Sequence, residues 1–254
     1  MQQDHSSTLN TKNIDGNIDL DDPLATLDMM EETPPPPDPE EMLLLLDSPE
    51  TPQRMLAARA FCELEDDRAI PALISLLTDT CPLVRVSAAY GLGRNLSPVA
   101  VEPLIRQLEK DWNGYVRKGI VWALGNNKDR RVLSPLIKAL KTDISAVRLW
   151  AASGLAQMVE LSYTEIVTAI PPLIEALRLD EVAAVRSNCA WAIGQLCREM
   201  PANAVYAGAI DGLLYALEED LDLGVQADAK AALLRVGDPR GLQIIETMEL
   251  EGLV

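Results

Sequence analysis

Asp111-Trp112-Asn113-Gly114-Tyr115-Val116-Arg117-Lys118-Gly119-Ile120-Val121-Trp122-Ala123-Leu124-Gly125-Asn126 reads as a turn followed by a short helix that begins near Tyr115. Within it, Val116-Arg117 is followed by Ile120 three residues after the Arg and Leu124 seven after it. That spacing puts three apolar side chains on one side of a helix. The same pattern recurs along the chain, and a fixed recurrence decides the fold before any single residue does.

Val84-Arg85, Val116-Arg117, Val147-Arg148 and Val185-Arg186 align, with Gln53-Arg54 and Val225-Gln226 as degenerate copies at either end. An acid precedes each mark: Asp47, Asp79, Asp111, Asp143, Asp180 and Asp220. Seven residues after each mark comes Phe61, Leu92, Leu124, Leu155, Ile193 or Leu233. Between marks runs a second helical pattern around Pro71, Pro103, Pro135 and Pro171-Pro172. Proline suits a first helical turn, where its missing N–H has no intrahelical partner to lose. Each unit is therefore expected to be a helix A (Pro-Leu-Ile), a turn and a helix B (Val-Arg). No single pair can bury its apolar face alone, so pairs must stack. The fold class that follows is all-α, a right-handed α-solenoid of about six helix pairs over residues 39–254. The marks around residues 148, 186 and 226 are spaced more widely than the others, which predicts longer A helices in the fifth and sixth units.

Composition agrees with this. Of 254 residues, 48% are hydrophobic but only 4% aromatic, so the core must be aliphatic, which favours helices. Residues 1–41 hold eleven acids against Lys12 alone, and 1–38 end in the run Thr33-Pro34-Pro35-Pro36-Pro37. They read as a disordered, acidic, proline-rich tail. A net charge of −17 argues against nucleic acid as a partner, because phosphates require a basic surface. No apolar run approaches the roughly 20 residues that span a bilayer. The N-terminus lacks a signal-peptide pattern, and four cysteines without framework spacing fit a reducing, cytoplasmic setting.

The acids and arginines of the marks are expected to be structural, the Asp capping a turn and the Arg reaching a carboxylate of its own or the next unit. With the Val at 0° and about 100° per residue, positions two, five and nine after the Arg point away from the core stripe. They carry Tyr90, Arg94, Trp122, Asn126, Trp150, Gln157, Asn188, Trp191 and Gln195. Aromatics among amides and arginines on the concave face of a solenoid have the composition of a protein-binding hot spot. Packing of the indoles between repeats is the other reading of the same residues. Trp112 and Asn113, in the turn before helix B, either border this groove or fill a gap between units. The partner-binding set is thus these eleven residues.

Catalytic and metal chemistry find little material. The single histidine is His5, in the tail, so the repeats carry no imidazole base. There is no Cys-x-x-Cys and no glycine-rich phosphate loop. No catalytic residue, metal ligand or cofactor is assigned. Cys189 falls on the core stripe, and Cys197 lies eight residues on, near the end of the same helix. Cys81, in a turn, reads as the most exposed one, the thiol that could transiently hold a cluster or a bilin.

The pattern acid-x-x-x-x-Val-Arg-x-x-Ala-x-x-Ala-Leu-Gly resembles the HEAT repeat, and more narrowly the short repeat of the phycobilisome-lyase HEAT-like family of cyanobacteria. The likeness covers roughly residues 40–250. Lyase subunits of that family pair with one another and bind an open-chain tetrapyrrole. Stretches 81–90, 111–118 and 186–191 resemble a narrower group associated with the NifU-type iron–sulfur scaffold. The resemblance implies a non-catalytic scaffold whose concave groove holds a partner protein, either a NifU-type scaffold or a phycobiliprotein. The other implied role is a bilin lyase subunit or a phycobilisome assembly or turnover factor, with a bilin or a phycobiliprotein as ligand.

Overall fold

A computed structural model describes residues 37–160 and 162–252, and every regular element among them is helical. The expected tail lies outside the described residues except for Pro37 and Asp38, and Asp38 caps the first helix. The helices are α1 (Pro39–Leu45), α2 (Thr51–Ala60), α3 (Ile70–Leu76), α4 (Pro82–Arg94), α5 (Pro98–Lys110), α6 (Gly114–Asn126) and α7 (Leu133–Thr142). They continue with α8 (Ser145–Ala156), α9 (Tyr163–Leu179), α10 (Ala183–Cys197), α11 (Ala204–Glu219), α12 (Leu223–Val236) and α13 (Pro239–Leu250). Odd-numbered helices α1 to α11 are A helices and even-numbered ones are B helices. Six A–B pairs stack in chain order, and α13 closes the sixth.

The stripe read from the sequence is the core. Val84, Val116, Val147, Val185 and Val225 are fully buried, as are Phe61, Leu92, Leu124, Leu155, Ile193 and Leu233. At about 25 cal/mol per Å² of apolar surface, burying each such side chain contributes on the order of 1.5–3 kcal/mol against the entropy of ordering it. Each unit completes its neighbour's core, which is why the array and not the pair is the stable object.

B helices touch their neighbours through small residues. A Cβ on Gly125 would stand 2.8 Å from the Gly154 Cα, so α6 and α8 meet backbone to backbone. The A helices touch one another less. A two-layer stack curves toward the layer that is packed more tightly, so the B helices line the inner face. The widened marks translate into longer A helices, 17 residues in α9 and 16 in α11, against 7 in α3 and 10 in α7.

Two local expectations need correction. Pro71 does begin α3, but Pro103 lies inside α5 and Pro171 and Pro172 inside α9. These A helices extend upstream of the proline, because residues before it (Ala100 and Val101, Ile166 and Ala169) bury apolar surface. The second correction concerns Asp47. It is exposed, and the position six residues before Arg54 is Ser48, which is buried and whose carbonyl accepts from Arg54 Nη1 at 2.9 Å.

Candidate functional site

Where A turns into B, a line of ion pairs joins consecutive units. Arg54 pairs with Asp79, Arg85 with Asp111, Arg117 with Asp143, Arg148 with Asp180 and Arg186 with Asp220, at 2.6–2.8 Å. Each guanidinium reaches forward to the next unit's carboxylate. Its Nη1 reaches back to a carbonyl of its own turn, as from Arg117 to Asp111 and from Arg186 to Asp180. The carboxylates of Asp79, Asp111, Asp180 and Asp220 also accept the backbone N–H two residues on. Burial alone would raise the carboxyl pKa of Asp111 and Asp180, but the Arg and backbone hydrogen bonds outweigh it and hold both below the usual range. For Asp220 the Arg186 hydrogen bond is itself the largest influence, and it lowers the pKa. The line ends at Gln226, whose Nε2 donates to the Asp220 carbonyl at 2.7 Å. These residues hold the stack together, and their donors and acceptors are engaged within it.

The inner face is different. Between α2 and α4, with Trp122 of α6 closing one side, lies an apolar hollow of ≈ 880 Å³. Tyr90 and Trp122 form its aromatic wall, with ring centroids 5.2 Å apart and planes inclined by 53°. Trp122 takes that position because Gly93 has no side chain: a Cβ there would lie 2.4 Å from the indole Cζ3. The indole therefore packs on the preceding unit with one part and faces the groove with the other. Met55, Leu56, Leu83 and Val86 complete the apolar lining, and Arg59, Cys62 and Glu63 border it. Leu83 is 61% exposed and Leu56 55%, an exposure that marks a surface available to a partner.

The eleven expected residues divide into five groups. Tyr90 and Trp122 meet in the hollow. Trp150 and Trp191 are half-buried further along the inner face, and the Lys118 Nζ lies 5.9 Å from the Trp150 ring centroid. Gln157 and Gln195 lie half-buried near the ends of their B segments, and Arg94 is exposed and pairs with Glu65 at 3.5 Å. Two amides on this face bind the stack itself. Asn126 donates to the Gly93 carbonyl at 3.2 Å, and Asn188 to the Leu149 carbonyl and Ser153 Oγ at 2.6 Å each. Trp112 and Asn113 are not brought to the hollow. Asn113 accepts from the N–H groups of Tyr115 and Val116 as the cap of α6. Trp112, 77% exposed, lies 6.0 Å from the Arg85 guanidinium along the ion-pair edge.

The sequence reading missed Met55, Leu56, Arg59 and Glu63 because Gln53-Arg54 is a degenerate mark, although Leu56, Arg59 and Glu63 sit two, five and nine residues after that Arg. Leu83 sits two before the Arg, at about 260° on the same wheel, outside the positions two, five and nine after it. Cys62 and Cys81 are both half-buried, and Cys189 and Cys197 are buried. Burial pushes the Cys62 thiol up to about 11 and the Cys197 thiol up to about 12. Among the described residues no cluster of three or more His, Cys, Asp or Glu side chains could hold a metal ion, and no helix is long and apolar enough to cross a membrane.

The model of the HEAT repeats family matches residues 39–119 and 101–194. No curated protein matches the chain. Among solved structures, an engineered protein is 24% identical, with 79% of this chain and 98% of that chain covered at a TM-score of 0.60. A designed armadillo repeat protein, solved in complex with the peptide (KR)4, is 23% identical, with 78% and 98% covered at 0.60. The complex of CpcE and CpcF of phycocyanin lyase from Nostoc sp. PCC7120 is 20% identical, with 88% and 97% covered at 0.54. At these identities the likeness is one of fold alone.

Proposed function

This chain belongs to the HEAT-repeat family, and we propose that it is a non-catalytic adaptor that holds a segment of a partner protein along its B-helix face. The observation that carries this is the Tyr90–Trp122 wall over an open apolar hollow. Large aromatics fixed on a rigid scaffold provide contact area at little entropic cost, which is how hot spots work. The ion-pair line supplies the rigidity. We further propose a partner among NifU-type iron–sulfur scaffolds or phycobiliproteins, in the cytoplasm of a cyanobacterium, in the manner of IaiH-type HEAT proteins. The support for this is the resemblance of residues 81–90, 111–118 and 186–191 to that group. The test is affinity capture from a cyanobacterial lysate with wild type and with Trp122→Ala plus Trp191→Ala, helix content being matched by circular dichroism. A specific partner lost in the variant supports the groove. An unchanged set of partners refutes it.

A second reading is that the chain is a bilin lyase subunit. The Tyr90–Trp122 pair and the Lys118–Trp150 contact favour it, because a flat π-system and propionates call for rings and cations. Mixing the protein with phycocyanobilin tests this: a stoichiometric, red-shifted absorbance would establish it, and an unshifted spectrum would leave the adaptor alone.

A further inference from the structure

The charge of the whole chain and the charge of its inner face differ in sign. The chain carries 39 acids against 22 bases. By net charge alone it would attract basic partners. The outward positions of the six B helices lie two before the Arg (or Gln) of each mark and one, two, five and nine after it. Their bases are Arg59, Arg94, Lys118 and Arg235, and their only acids are Glu63 and Asp228. The Asp228 carboxylate already accepts from the Ser187 hydroxyl. Arg59, Lys118 and Arg235 make no ion pair among the described residues, although most other bases in this acid-rich chain do.

Local charge governs a bound segment. Screening extends about 8 Å at physiological ionic strength, less than the ~10 Å thickness of one helix. Solvent-exposed acids on the A side lie more than a screening length from a ligand on the B side, so the charges nearest that ligand dominate. Such a ligand meets an apolar hollow with Arg59 and the acid Glu63 at its border and Lys118 in the adjoining unit, so that the two bases outnumber the one acid.

We infer that the segment held in the groove is acidic, with an aliphatic or aromatic side chain that enters the hollow beside Leu83 and Tyr90 and carboxylates that meet Arg59 and Lys118. This rests on the adaptor reading and specifies the partner's chemistry.

The test is selection from a random peptide library on the full-length chain. Peptides of about twelve residues suffice, since at ~3.3 Å each they cross three B helices. Enriched peptides, synthesised and labelled, are then titrated by fluorescence anisotropy. The expected winners are net negative with at least one large apolar residue. They should bind Arg59→Glu/Lys118→Glu about tenfold or more weakly, and weaken as salt rises. Leu83→Glu should weaken them similarly with unchanged helix content. Neutral or basic winners, acidic winners indifferent to Arg59→Glu/Lys118→Glu, or no enrichment at all would overturn the inference. Basic winners that still need Leu83 and Trp122 would refute the acidic preference and leave the groove standing. Winners indifferent to Leu83→Glu and to Trp122→Ala plus Trp191→Ala would remove both.

Discussion

Arg85 and Asp111 are joined by two hydrogen bonds, 2.7 Å from Nε and 2.9 Å from Nη2, with the two side chains 7% and 0% exposed. This is the most buried junction of the ion-pair line. Removing one member strands the other as a buried charge, which typically costs 3–5 kcal/mol, whereas replacing both with apolar groups is often neutral. Arg85→Ala should therefore lower the urea midpoint far more than Arg85→Met combined with Asp111→Leu. Equal losses in the two variants would show that the charges are not coupled.

The same line sets the acid limit of stability. The carboxyls of Asp79, Asp111, Asp180 and Asp220 are held below the value of an unfolded Asp, about 3.9. A lowered folded pKa contributes stability that is fully present above the unfolded value and lost as pH falls through the folded ones. Helix content at 222 nm should stay level from about pH 7 to pH 5 and collapse below about pH 4. Asp111→Asn, already lacking that contribution, should show a shallower acid loss. Stability that rose on acidification would contradict the sign.

Gly125 and Gly208 are both helical glycines, and Ala should act on them in opposite directions. A Cβ on Gly125 meets the Gly154 Cα at 2.8 Å, so Gly125→Ala must push α8 away and should cost about 1–3 kcal/mol, as overpacking does. A Cβ on Gly208 meets nothing within 4 Å, and Gly208→Ala should stabilise α11 by about 0.5–1 kcal/mol. Thermal melts of the two variants decide this, and a shift in the same direction for both would refute it.

Thiol chemistry should follow burial. Native protein treated with iodoacetamide near neutral pH should leave Cys189 and Cys197 unmodified, since both are buried and burial raises their pKa. Cys81, half-buried, should react first, and Cys62, half-buried but with its thiol pushed up to about 11 by burial, more slowly. Peptide mapping before and after urea reads this out, and native labelling of Cys189 would contradict the packing of α10.

Much of the fold could be read from Val-Arg and the residue seven after it, because those positions repeat one physical task. The first unit was harder. Its Gln53 replaces the Val and Ser48 replaces the acid, while the nearest acid, Asp47, is one residue out of register and exposed. The site was legible in direction and not in engagement. A helical wheel points Asn126 and Asn188 toward the groove, yet it cannot show that a carbonyl of the preceding unit lies within reach. Nor can it show that Gly93 makes room for Trp122, because that contact joins residues about 30 apart in the chain. Trp112 and Asn113 precede α6, where a wheel has no meaning, and their position at the ion-pair edge came only with the turn.

Gln226 gives the array a punctuation mark. Every guanidinium of the line before it pairs with a carboxylate in the unit that follows, and Gln226 instead closes on the Asp220 carbonyl behind it. The units are thus words in a directional sentence. Copying one into the middle preserves every junction, while joining another after α12 would leave its leading acid unanswered unless Gln226 became Arg.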